Sequence, residues 1–119
     1  MSFDQRRERS KHALHCVQQW GSSRAKDHVK ALPVLVRNMG LAGAIALQHS
    51  KDETRLLAAD LVSWLIQPDL PGRVPLESPN VSEFLKHFVK LPEARCAFLE
   101  QEGLLFAEAL KLFSGALNG

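Results

Sequence analysis

The sequence predicts an all-α protein, a compact helical bundle of about five to six helices forming one domain over residues 1–119. Three observations carry that expectation. Apolar residues recur at helical rather than alternating spacing, as in Ala13, Val17 and Trp20 at i, i+4 and i+7. Tyr is absent and β-branched runs are few, so nothing reads as a strand. Glycine, proline and capping residues fall where helices of ordinary length would start and stop.

In order, the first helix spans Phe3 to Trp20 and ends at Gly21-Ser22-Ser23, with Ser23 placed to cap the next. The second runs to about Met39 and stops at Gly40, the residue suited to a left-handed C′ position. Pro33 lies inside it, so the helix either kinks there or breaks and restarts with Pro33 in its first turn. Leu41 to Gln48 is apolar nearly all round and is expected in the core. Ser50 with Glu53 has capping-box spacing for a helix ending at Pro68. Pro68 to Pro79 holds four prolines and Gly72 and is the one clear loop. Asn80 with Glu83 opens a helix carrying Phe84, Leu85 and Phe88, and Pro92 begins the last and longest one. Along that last helix Phe98, Leu105, Ala109, Leu112 and Phe113 share one face, and Leu99, Phe106, Leu110 and Leu117 an adjoining one. So wide a stripe suits a helix wedged between others.

Composition narrows the setting. No stretch is expected to reach the roughly 18 apolar residues that cross a bilayer, and no apolar signal core follows the basic N-terminal segment. Cys16 and Cys96 are too few for a disulfide framework and read as reduced thiols, so the expected setting is cytoplasmic, with no membrane partner. The net charge is only +2, yet residues 1–40 hold eight basic groups against three acidic ones, and the remainder is net acidic. A small domain polarised in this way often meets a polyanion with its basic half.

Within that half, Lys26, Lys30 and Arg37 stand at i, i+4 and i+11, within about 40° of one line on an unbroken helix. Ala25, Val29, Leu32, Val36 and Met39 lie opposite. A second row, Arg7 and Lys11 with His15 and Gln18, faces away from Val17 and Trp20 on the first helix. Cations a turn or two apart can track a phosphate backbone, and they equally suit a plain solvated face.

Other chemistries find little support. His12, His15 and Cys16 sit at i, i+3 and i+4, but Cys96 has no histidine near it, and zinc draws its four ligands from two such clusters. They read as half-buried helix residues, with no metal or other cofactor expected. No nucleophile elbow, phosphate loop or H-E-x-x-H is present, and no catalytic residue is assigned. Glu100 and Glu102 read as capping and solvation. A helix-turn-helix reader would need base-reading side chains after Gly40, where the chain is Leu-Ala-Gly-Ala-Ile-Ala-Leu-Gln.

The block Leu32-Pro33-Val34-Leu35-Val36-Arg37-Asn38-Met39-Gly40-Leu41-Ala42-Gly43-Ala44-Ile45-Ala46-Leu47 resembles the central signature of the small, all-helical subunit of type III-B CRISPR (Cmr) effector complexes. The tail Phe106-Ala107-Glu108-Ala109-Leu110-Lys111-Leu112-Phe113 is similar to that family's closing Glu-Ala-Leu helix, and Arg9, Ala13 and Val17 fit its first helix. Gly43 departs from a frequent glutamine, and Ser114-Gly115-Ala116-Leu117 replaces a tryptophan-leucine-lysine end. The resemblance implies a non-catalytic subunit that stacks with further copies of itself and with other Cmr subunits along a guide-RNA filament. It would help to hold target RNA in antiviral defence, with sequence reading left to base pairing. Lys26, Lys30, Arg37, Arg7 and Lys11 then become the candidate RNA-binding residues. The competing class is a helical protein–protein adaptor that touches no nucleic acid.

Overall fold

The computed structural model describes residues 3–118, which are all-α: α1 (Gln5–Gln19), α2 (Ala25–His28), a 3-10 turn (Val29–Ala31), α3 (Leu32–His49), α4 (Arg55–Leu65), α5 (Val81–Phe88) and α6 (Glu93–Asn118). No strand occurs among the described residues. Asp4 starts α1 by accepting the Arg7 amide at 3.1 Å. Asn80 does the same for α5 through the Glu83 amide at 2.9 Å. Ser23 accepts the Ala25 amide at 3.1 Å, as its place in the sequence suggests.

The stretch after Ser23 breaks rather than kinks. It unwinds into the 3-10 turn and restarts with Pro33 in the first turn of α3, where a missing N–H costs nothing. Gly40 then departs from helical geometry at φ 80°, ψ 165°, and the helix continues from Leu41. Glycine is needed there because an L side chain at that φ is strained. The orphaned Leu41 amide donates to both Glu100 oxygens, at 3.1 and 3.0 Å. Glu100 is thus a cap, but for α3 rather than its own helix.

Two sequence expectations need correction. Ser50 does not open a capping box: it closes α3, donating to the Leu47 carbonyl, while Thr54 turns the chain by donating to the Gln48 carbonyl and Glu53 pairs with His28. The helix begins at Arg55, after the turn has absorbed the intervening polar residues. And Ala25–His49 does reach the length and apolarity of a membrane span. Here it is interrupted twice, and Leu32, Val36, Leu41, Ala44 and Ile45 are buried in the core.

The longest helix, α6, lies against α3, α1 and α4, and is central as its wide stripe predicts. Its buried face is Leu99, Glu102, Gly103, Phe106, Ala107, Leu110 and Ser114. The companion face is not core: Phe98, Ala109 and Phe113 are half-buried at its edge, and Leu112 is 71% exposed. Gly103 permits the closest approach, since a Cβ there would stand 2.5 Å from Leu41 Cδ1. Of Leu41 to Gln48, four residues are buried and Ala46 is exposed, so one face and not the whole turn is core.

Candidate functional site

The C-terminal turns of α6 carry a cleft on each flank, and both are cationic. On one flank a cleft of about 360 Å³ is bounded by Lys26 and Asp27 of α2, Val29 and Lys30 of the 3-10 turn, and Lys111, Ser114, Gly115 and Asn118 of α6. The break before α3 aims Lys26 and Lys30 here, and the turn's proximity to α6 adds Lys111 from the far end of the chain. Asp27 is the one acid in this wall, and Arg24 holds it at 2.7 Å. None of the three ammonium groups has a carboxylate within 4.0 Å among the described residues. Three cations without a carboxylate partner among the described residues, beside Val29, Ser114, Gly115 and Asn118, suit phosphate oxygens.

Arg37, the third cation of the sequence row, goes elsewhere. Its guanidinium pairs with Glu108 at 2.5 Å and ties α3 to α6 outside the cleft. The row therefore splits where the helix breaks: Lys26 and Lys30 converge, and Arg37 is spent on a surface ion pair. Lys111 escaped the sequence reading because nothing in one helix reveals that a residue some eighty positions later faces it.

On the other flank Arg6, Arg7 and Lys11 of α1 rim a cleft of about 410 Å³ floored by Leu14 and Phe113. Phe113 projects roughly 150° around α6 from the centre of the Lys111–Asn118 group, which separates the two clefts. Arg7, Lys11, His15 and Gln18 are all exposed, as the first-helix row predicts. Lys11 makes a long 3.7 Å pair with Glu8, and neither Arg6 nor Arg7 has an ion-pair partner among the described residues.

The frame that holds both flanks is a buried ionic cluster. Glu102, 2% exposed, receives Arg9 Nε at 2.6 Å and Nη2 at 3.2 Å, Trp64 Nε1 at 2.9 Å, and the Gln5 amide. Its full complement of donors explains how a carboxylate survives in the core, and it pins α1 and α4 to α6. Reading Glu102 as a solvated acid is therefore wrong. Its spacing from Leu99 and Phe106, three before and four after, is the signal that places it on the buried arc.

His12, His15 and Cys16 do other work. His12 Nε2 lies 2.8 Å from Ser63 Oγ, and its ring stands 5.7 Å from Trp64 and 5.6 Å from Phe106. Burial, and then His15, hold its pKa below the usual 6.5. Burial, and then the Asp60 carboxylate, push the Cys16 thiol up to about 12, leaving it protonated and inert at neutral pH. Asp60 itself is raised by burial, against the bond that Trp20 Nε1 donates to it at 2.7 Å. No group of three or more His, Cys, Asp or Glu among the described residues is placed to hold a metal ion.

Compared with known proteins, residues 5–117 match the model of the CRISPR-associated protein family Cas_Cmr5. No curated protein and no solved structure matches the chain.

Proposed function

The chain belongs to the Cas_Cmr5 family and is a small helical subunit of a Cmr complex, and on that premise we propose that it serves without catalysis in a type III-B effector, binding RNA by its backbone. Copies stack along the guide-RNA filament, and each presents the Lys26–Lys30–Lys111 cleft to the phosphates of the target strand. The observation that carries this reading is the convergence on one cleft of three lysines from two ends of the chain, none with a carboxylate partner among the described residues. Such a surface recognises charge and shape, and leaves sequence to base pairing. Arg37 stands outside that cleft, in an exposed ion pair with Glu108 that links α3 to α6.

The test uses target RNA carrying 4-thiouridine, captured by the assembled complex and irradiated. Adducts on peptides spanning Lys26–Lys30 or Lys111–Asn118 are the expected result. Adducts on this subunit confined to other surfaces would contradict the assignment. A complex in which the subunit gains no adduct at all would favour the adaptor that never meets nucleic acid.

A further inference from the structure

The α1 cleft differs from its neighbour in having an apolar floor, and this gives it a different occupant. Leu14 and Phe113 line its base, and Leu117, one turn beyond Phe113 on the same side of α6, is 53% exposed. Phosphate gains nothing from an aliphatic floor, whereas an inserted apolar side chain does. Around that floor stand Arg6, Arg7 and Lys11; Asp4, also at the rim, is engaged in capping α1. Neither Arg6 nor Arg7 has a carboxylate partner among the described residues, and Arg is the cation that takes a carboxylate in bidentate fashion.

We propose that this cleft docks an acidic segment of a different protein subunit, one that seats an aliphatic or aromatic side chain on Leu14 and Phe113 and places carboxylates on Arg6, Arg7 and Lys11. A second copy of this chain fits the charges poorly. In sequence its other exposed apolar residues stand beside cations: Val34 between Lys30 and Arg37, Met39 two after Arg37, Val89 before Lys90 and Leu112 after Lys111. The acid one turn before Leu112, Glu108, is already paired with Arg37. Leu56 has acids nearby, but Asp52 and Glu53 are already paired with Arg55 and His28. This docking site is separate from the lysine cleft, so it stands whether or not that cleft binds RNA.

The photocrosslinker p-benzoylphenylalanine, introduced at Leu14 in one variant and at exposed Leu117 in a second, reports the occupant in the assembled complex. Mass spectrometry should find adducts on another subunit, at a segment where Asp or Glu adjoins a large apolar residue. The yield should fall about tenfold when Arg6, Arg7 and Lys11 are all replaced by Gln. Adducts to RNA, to a second copy of this chain or to a segment without carboxylates would overturn the proposal. So would a yield indifferent to the three charges, or no adduct from either position.

Discussion

The two clefts beside the end of α6 carry three cations each, yet they differ in what lies beneath the charges. Around Lys26, Lys30 and Lys111 the lining is mixed, with Val29 beside Ser114, Gly115 and Asn118 and no large apolar side chain, so charge is the main attraction and well-spaced phosphates match it. Around Arg6, Arg7 and Lys11 the floor is Leu14 and Phe113, so charge steers and apolar contact selects. Counting cations along the sequence does not separate these cases. What lies beneath the charges does.

Because both clefts share α6, the most damaging substitution should disable them together. Glu102→Ala leaves the half-buried Arg9 guanidinium without its partner and strands the Trp64 and Gln5 side-chain donors. A loss of about 3–5 kcal/mol is expected in denaturant unfolding. The double change Arg9→Met with Glu102→Met should recover much of it, since an apolar pair of similar volume leaves no orphaned charge. A double variant no more stable than Glu102→Ala would mean that the cluster contributes more than mutual neutralisation.

A loss of about 1–3 kcal/mol is expected for Gly40→Ala, because φ 80° becomes strained. This change strikes the join between α3 and Glu100 and leaves the Lys26–Lys30 turn intact. Unchanged stability would show that the break after Met39 relaxes into continuous helix.

Smaller still is the effect of His12. Its folded-state pKa lies below 6.5, so an unfolded chain takes up the proton first. The stability it contributes is present above pH 6.5 and is lost as pH falls through the lowered folded value. Asp60, raised by burial, acts in the opposite sense on acidification. Comparing unfolding midpoints of wild type and His12→Gln at neutral and mildly acidic pH isolates the histidine: the variant should lose less. An equal loss in both would assign the pH dependence elsewhere.

How far these features could be read from the chain follows from how local their causes are. Pro33, Gly40 and Asn80 mark their boundaries because φ constraints and caps act within a few residues. Ser50 misleads for the same reason: its spacing to Glu53 is local, but the turn that uses Thr54 is set by the packing of α3 on α4. Glu102 is legible only once the buried arc of α6 is known, because its donors come from Gln5, Arg9 and Trp64, far off in sequence. The lysine cleft is half legible: Lys26 and Lys30 share a turn, and Lys111 joins them through the fold alone.

The contrast between the clefts is tested most directly by the salt dependence of target-RNA capture. Two assembled complexes are compared with wild type, one carrying Lys26, Lys30 and Lys111 all changed to Gln, the other Arg6, Arg7 and Lys11 all changed to Gln. These exposed positions should leave subunit stability within about 0.5 kcal/mol of wild type. If the lysines contact single-stranded phosphates, the first complex should lose roughly two units of slope in log K against log salt, at about 0.7 per contact. The second should keep the wild-type slope. Equal slopes in all three complexes, or a loss confined to the arginine variant, would contradict the assignment of RNA to the lysine cleft.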